Sequence, residues 1–209
     1  MREELSQNQS PEENISRIPP PTCPLDVWSV ADATTFRVRG PNYLQDRIKI
    51  QSSPSLFKLL AVDIYETDEP IFNIASHPKL RLQSAVQRGD CPDFVWVVNI
   101  MIPGPPNYAF VTYSTPNDPH FFDESRDNDP VNRIAKRFFF GDDDSFRDHR
   151  FKLIPKVIDG NMVVKMAVKD TPAILGTKLK QSYFSGPNYF EMDVDVASSR
   201  FLWCPFSII

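Results

Sequence analysis

The sequence predicts an α+β domain built on an antiparallel sheet with a few short helices, and three observations carry that reading. Proline outnumbers glycine 20 to 7, a composition suited to short strands joined by proline-shaped turns. Residues 94–102 (FVWVVNIMI) are the most apolar run. After Pro103-Gly104-Pro105-Pro106-Asn107, residues 108–114 run back beside them as a hairpin. Residues 189–197 alternate, with Phe190, Met192, Val194 and Val196 on one face and Glu191, Asp193 and Asp195 on the other.

The remaining elements follow in chain order. Residues 36–39 alternate as a short strand, Gly40-Pro41-Asn42 has turn chemistry, and Tyr43-Leu44 and Ile48-Lys49-Ile50 continue an extended pattern. Ser53-Pro54 opens one helical turn with Leu56, Phe57 and Leu60 on its apolar face, and residues 61–65 read as a strand. Residues 80–88 form an amphipathic helix stopped by Gly89. An acidic surface loop spans 120–129, after which Asp129-Pro130 caps a helix whose apolar residues are Val131, Ile134, Ala135 and Phe138. Gly141 suits a left-handed stop, and Asp142, Asp143 and Asp144 then begin a second short helix with Arg147, His149 and Arg150 at its far end. Residues 151–158 and 162–168 flank Asp159-Gly160-Asn161 as another hairpin, and residues 178–184 are a strand.

Length and composition set the bounds. The chain of 209 residues fits one domain with a tail, and its 24% charged and 41% hydrophobic residues are ordinary for a globular protein. A net charge of −4 argues against nucleic acid as a partner. Cys23, Cys91 and Cys204 lack metal spacing, so reduced thiols are expected. Residues 1–24 are polar and proline-rich and read as a disordered tail. No apolar run reaches the roughly 18 residues of a membrane helix. The expected location is cytoplasmic, with a peripheral membrane role left open.

Three constellations could carry chemistry. Asp142–Asp144 could serve a magnesium site, but helix capping accounts for them and no metal is expected. Glu191, Asp193 and Asp195, roughly 7 Å apart at two-residue spacing, could bind a cation. A solvated face, or ion pairing with Arg37 and Arg39 on another strand, is the favoured account. Residues 36–50 hold Arg37, Arg39, Arg47 and Lys49 against the single acid Asp46, a patch that could receive a phosphate or lipid headgroup. No nucleophile elbow, glycine-rich phosphate loop or CxxC pair is present, so no enzyme and no cofactor are expected.

FRVRGPNYLQDRIKI, SLFKLLAVD, FVWVVNIMIPGPPNYAFVTY, GDDDSFRDHRFKLIP and GPNYFEMDVDVASS resemble successive landmarks of the C-terminal domain of the plant protein enhanced disease resistance 2, from about Cys23 to Ser199. On that resemblance residues 25–199 are the domain and 200–209 an atypical tail. In the family the domain often follows a pleckstrin-homology and a START domain, neither found in this sequence, which implies a role near membranes and lipids. The resemblance carries over no catalytic residues, and similar domains also stand alone in plants, algae and protists.

By family analogy the sheet is expected to be START-like and to curve around an apolar groove. The family continues past VDVASS into a long amphipathic helix, which Pro205 forbids here, so a truncated domain is expected. Its absence should expose the face built by Met192, Val194 and Val196 and create a need for a lipid or protein partner covering that open face. The resulting expectation is a non-enzymatic lipid-binding or membrane-associated regulatory domain. A protein-interaction domain is the alternative. A metal-dependent enzyme would need Asp142–Asp144 and the 191–195 acids to converge on one cavity.

Overall fold

A computed structural model describes residues 15–17, 30–154 and 173–198. Its centre is the expected hairpin of β5 (Val95–Ile102) and β6 (Asn107–Pro116), in register from Trp96 opposite Ser114 to Ile102 opposite Tyr108. Outside β6 lie β4 (Phe57–Thr67) and then β1 (Ile15–Arg17). On the other side β5 pairs with β10 (Tyr189–Asp195), which pairs with β9 (Lys180–Gly186). The main sheet among the described residues therefore runs β1-β4-β6-β5-β10-β9, antiparallel at every seam except β5–β10. Two short ribbons stand apart from it: β2 (Arg37–Arg39) with β3 (Lys49–Gln51), and β7 (Lys152–Leu153) with β8 (Ala173–Ile174).

Both faces of the sheet are covered. On one, Tyr65, Val95, Val97, Val111, Tyr113 and Tyr189 pack under a segment that includes Ile71, the 3-10 turn Ile74–Ser76 and the helix α2 (Arg81–Arg88). Gly89, at φ 75°, ends α2 as its sequence requires. On the other, Phe190, Met192 and Val194 meet Phe138 and Phe139 of helix α3 (Pro130–Phe140) together with Leu175 and Leu179. Phe139 lies 5.2–5.8 Å from the rings of Phe57, Phe94, Trp96, Phe122, Phe138 and Phe190. Most of these pairs are edge-to-face, which aromatic quadrupoles favour.

Six expectations need correction. Phe57 to Leu60 are strand rather than helical turn, because β4 pairs with β6 as far as Phe57 opposite Pro116, with a register shift between Leu59 and Ala61. Tyr43 and Leu44 are not extended but belong to the helical turn α1 (Tyr43–Asp46), ended by Arg47 in the left-handed region at φ 58°. Gly141 has φ −74°, ψ 172°, so it is not a left-handed stop. Glycine suits the site because a Cβ there would lie 2.4 Å from the Arg137 carbonyl oxygen.

The apolar stripe of α3 is rotated from the expected one. Asn132, Phe138 and Phe139 are buried, while Val131 and Ile134 are 48% and 53% exposed. The Asn132 amide points inward and donates to the Phe121 carbonyl, which fixes that rotation. Met192 and Val194 are fully covered, at 0% and 1% exposure, because α3 and the segment around Leu175 and Leu179 occupy their face. The acids Glu191 and Asp193, expected at a solvated or ion-paired face, are 0% exposed. β10 sits inside the sheet with a layer on each side, so only Asp195 at its end is half-exposed. The hairpin expected around Asp159–Asn161 lies outside the described residues.

Candidate functional site

Arg37, Arg39, Arg47 and Lys49 converge on the β2–β3 ribbon. Its register sets Arg37 opposite Gln51, Val38 opposite Ile50 and Arg39 opposite Lys49. Period two then places Arg37, Arg39 and Lys49 on one face. The connection is tight: the Gly40 N–H donates to the Ile48 carbonyl at 3.0 Å, and an Asp46 carboxylate oxygen accepts from the Ile48 N–H at 2.8 Å. All four bases are exposed. Arg37 donates to the Lys49 carbonyl at 2.5 Å, which staples the two strands. The guanidinium carbons of Arg39 and Arg47 lie 4.9 and 5.9 Å from the Tyr43 ring centroid, within cation–π range.

Among the described residues no carboxylate pairs with any of the four bases. Arg39 directly opposite Lys49 is a like-charge pair, which a cross-strand position disfavours. The ribbon also presents Leu44, 78% exposed on α1, with Ile48 at 57% and Ile50 at 45%. Sequence reading found the four bases but missed these apolar neighbours and Tyr43. The alternation of charge with Leu44, Ile48 and Ile50 in FRVRGPNYLQDRIKI was the available signal.

A second polar cluster is buried. The two carboxylate oxygens of Glu191 accept from the N–H groups of Ile74 and Ala75, each at 2.7 Å. Asp193 accepts from the Asn73 N–H at 2.9 Å and from the Asn99 amide at 3.2 Å, while that amide also donates to the Ile71 carbonyl at 2.9 Å. Asn73, at φ 51°, turns the backbone so that three consecutive N–H groups face the acids, and the Tyr189 hydroxyl donates to its side chain at 3.1 Å. Burial, followed by the neighbouring Asp193 carboxyl, pushes Glu191 up to about 9. Burial also raises Asp193. This is a latch holding the 73–75 turn onto the sheet.

Asp143 and Asp144 serve α4 (Asp144–Asp148) on the opposite side of the sheet, and Asp142 precedes the cap. Asp143 is its N-cap, accepting from the Phe146 N–H and from Arg137, each at 2.9 Å. The Phe146 N–H, then Arg137, hold the Asp143 carboxyl below its ordinary value. Asp144 pairs with Arg147 at 2.5 Å. The convergence that a metal-dependent enzyme would need is therefore absent: one acid group caps α4 on the α3 side, the other grips the turn above α2's face. Nor do Arg37 and Arg39 pair with Glu191 or Asp193, which are enclosed in the core. A cleft bordered by Thr67, Ile71, Met101, Tyr108 and Ala109 has a volume of about 20 Å³, room for about one water rather than a lipid chain.

No helix among the described residues is long and apolar enough to cross a membrane. No solved structure matches the chain. A protein from Arabidopsis thaliana described as "Protein ENHANCED DISEASE RESISTANCE 2-like" is 33% identical over 174 residues, which cover 83% of this chain but 22% of that protein. The chain thus spans about a fifth of the length of this relative. The family model described as "Protein ENHANCED DISEASE RESISTANCE 2, C-terminal" matches residues 28–203. Ribbon, hairpin, α4 cap and the β9–β10 pair all fall within that match, and the chain belongs to the enhanced disease resistance 2 C-terminal domain family.

Proposed function

We propose that the chain is a non-enzymatic regulatory module that docks on anionic membrane surfaces, from the cytoplasmic side, through the β2–β3 ribbon. The observation that carries this is the ribbon's composition: four exposed bases that have no carboxylate partner among the described residues, with exposed Leu44 and Ile48 in the connection between the strands. A base near an anionic leaflet contributes about 1 kcal/mol. Apolar area leaving water adds about 25 cal/mol per Å². On a chain of net charge −4, such a concentration of bases orients the molecule as well as attracting it.

The test is co-sedimentation with vesicles of phosphatidylcholine, alone or containing phosphatidylserine. Binding is expected only to the second, weakening as salt screens the charges, and lost in Arg39→Glu with Arg47→Glu. Equal sedimentation of the parent and the charge-reversed chain would overturn the reading.

A second reading, a protein-interaction domain, is favoured by one observation. On the α3 face of the sheet an apolar cross-strand row runs beyond the helix, from Ile100 through Phe110 to Ile64, which is 40% exposed. A protein partner could cover that part of the face.

A further inference from the structure

We infer that Arg39, Arg47, Lys49 and Tyr43 form a clamp for a phosphomonoester, the terminal phosphate of an anionic lipid headgroup. The inference rests on the membrane-docking reading and narrows it from diffuse charge to a recognised group.

Four observations support a clamp over a merely positive surface. The guanidinium carbons of Arg39 and Arg47 both lie against the Tyr43 ring, 4.9 and 5.9 Å from its centroid. Arg39 and Lys49 sit directly opposite each other on one ribbon face with no acid between them. Asp46, the single acid within residues 36–50, is engaged by the Ile48 N–H, inside the turn that places Arg47. Lastly, the Tyr43 hydroxyl has no hydrogen-bond partner among the described residues, which leaves a donor beside the two guanidinium groups. Arg37 is left out of the clamp because its guanidinium is turned onto the Lys49 carbonyl.

A phosphomonoester fits this donor set on charge and geometry. It carries close to two negative charges at neutral pH and three terminal oxygens. Planar guanidinium forks match those oxygens two at a time, while Lys49 supplies a point charge. A phosphodiester such as phosphatidylserine offers fewer free oxygens and less charge at the phosphorus. Leu44 and Ile48, exposed on the same loop, hold the ribbon at the depth where headgroup phosphates lie.

The experiment compares vesicles of phosphatidylcholine containing phosphatidic acid with vesicles containing phosphatidylserine at matched surface charge. The expected result is tighter binding to phosphatidic acid, by on the order of tenfold. Arg39→Lys with Arg47→Lys keeps the charge but removes the forks. It should reduce phosphatidic acid binding to the phosphatidylserine level. Tyr43→Phe, which keeps the ring, should lose part of the preference, and glycerol 3-phosphate should compete with either vesicle only weakly. Because all these side chains are at the surface, unchanged thermal melting identifies folded variants. Equal binding of the parent to both vesicles would overturn the clamp and leave the docking reading standing. Binding to neither would overturn both. A preference that survives the double lysine variant assigns phosphate recognition elsewhere and overturns the clamp.

Discussion

Glu191 and Asp193 put two fully buried carboxylates on one strand face against three backbone N–H groups. The N–H groups favour ionisation, but burial outweighs them for Glu191, whose value rises from 4.5 to about 9. Over that interval the native state holds a proton that the unfolded chain has released. Stability must then fall as pH rises from roughly 5 to 9. The unfolding midpoint in urea, measured across this range, should decline in the parent and vary much less in Glu191→Gln, which has no proton to lose. The amide also turns a donor toward one of the two N–H groups. The variant should therefore be less stable than the parent at pH 5, by about 1–3 kcal/mol. Parallel pH profiles for the two chains would show that the latch does not titrate as described.

Between α3 and α4 a buried arginine joins the elements. Arg147, buried within α4, donates to the Phe138 carbonyl at 2.7 Å and to the Gly141 carbonyl, both at the end of α3. Its guanidinium also lies 5.1 Å from the Phe190 ring and 5.3 Å from the Tyr183 ring. It thus satisfies carbonyls that a helix end leaves unpaired and ties α3 to β10. Its partner Asp144 is largely exposed, so that ion pair adds little. Urea denaturation should show Arg147→Met losing about 2–4 kcal/mol, since hydrogen bonds to a charged group are worth about 1.5–3 kcal/mol and the carbonyls are left unpaired. Asp144→Ala should lose less than about 1 kcal/mol. Equal losses would mean that the ion pair, not the carbonyl contacts, holds the junction.

At the scale of the whole molecule the covers divide the sheet unevenly. On the α3 face Met192 and Val194 are sealed, whereas the row from Ile100 to Ile64 emerges from under the helix at β4. If that row is where a protein partner binds, Ile64→Lys abolishes the partner's cross-linking while leaving vesicle binding intact. An exposed position should tolerate the lysine within about 0.5 kcal/mol. Size-exclusion chromatography reads the simplest case, a second copy of this chain. Unchanged elution and cross-linking in Ile64→Lys would remove this face as an interaction surface. The ribbon and this row lie on different strands, so the two assays separate the two functions.

Local chemistry was legible from the sequence. The Asp129-Pro130 and Asp143 caps depend on side chains reaching backbone a few residues away, the Gly89 stop on a backbone conformation open to glycine, and all three stand in the structure. The β5–β6 hairpin and β10 were readable for the same reason, since period two and turn residues are properties of a short window. The basic patch was also visible, because a local turn at Gly40-Pro41-Asn42 folds the four bases of residues 36–50 together. What the window could not contain was the partner across each face. The pattern YFEMDVD alternates identically whether its acids meet water or a turn from residues 73–75. Only the insertion of β10 between β5 and β9, with a layer on either side, decided that they are buried. Likewise the rotation of α3 rests on Asn132 reaching the Phe121 carbonyl, and the strand state of Phe57–Leu60 on pairing with β6. Burial and hydrogen-bond satisfaction are settled between elements distant in sequence, and there the tertiary structure had the decision.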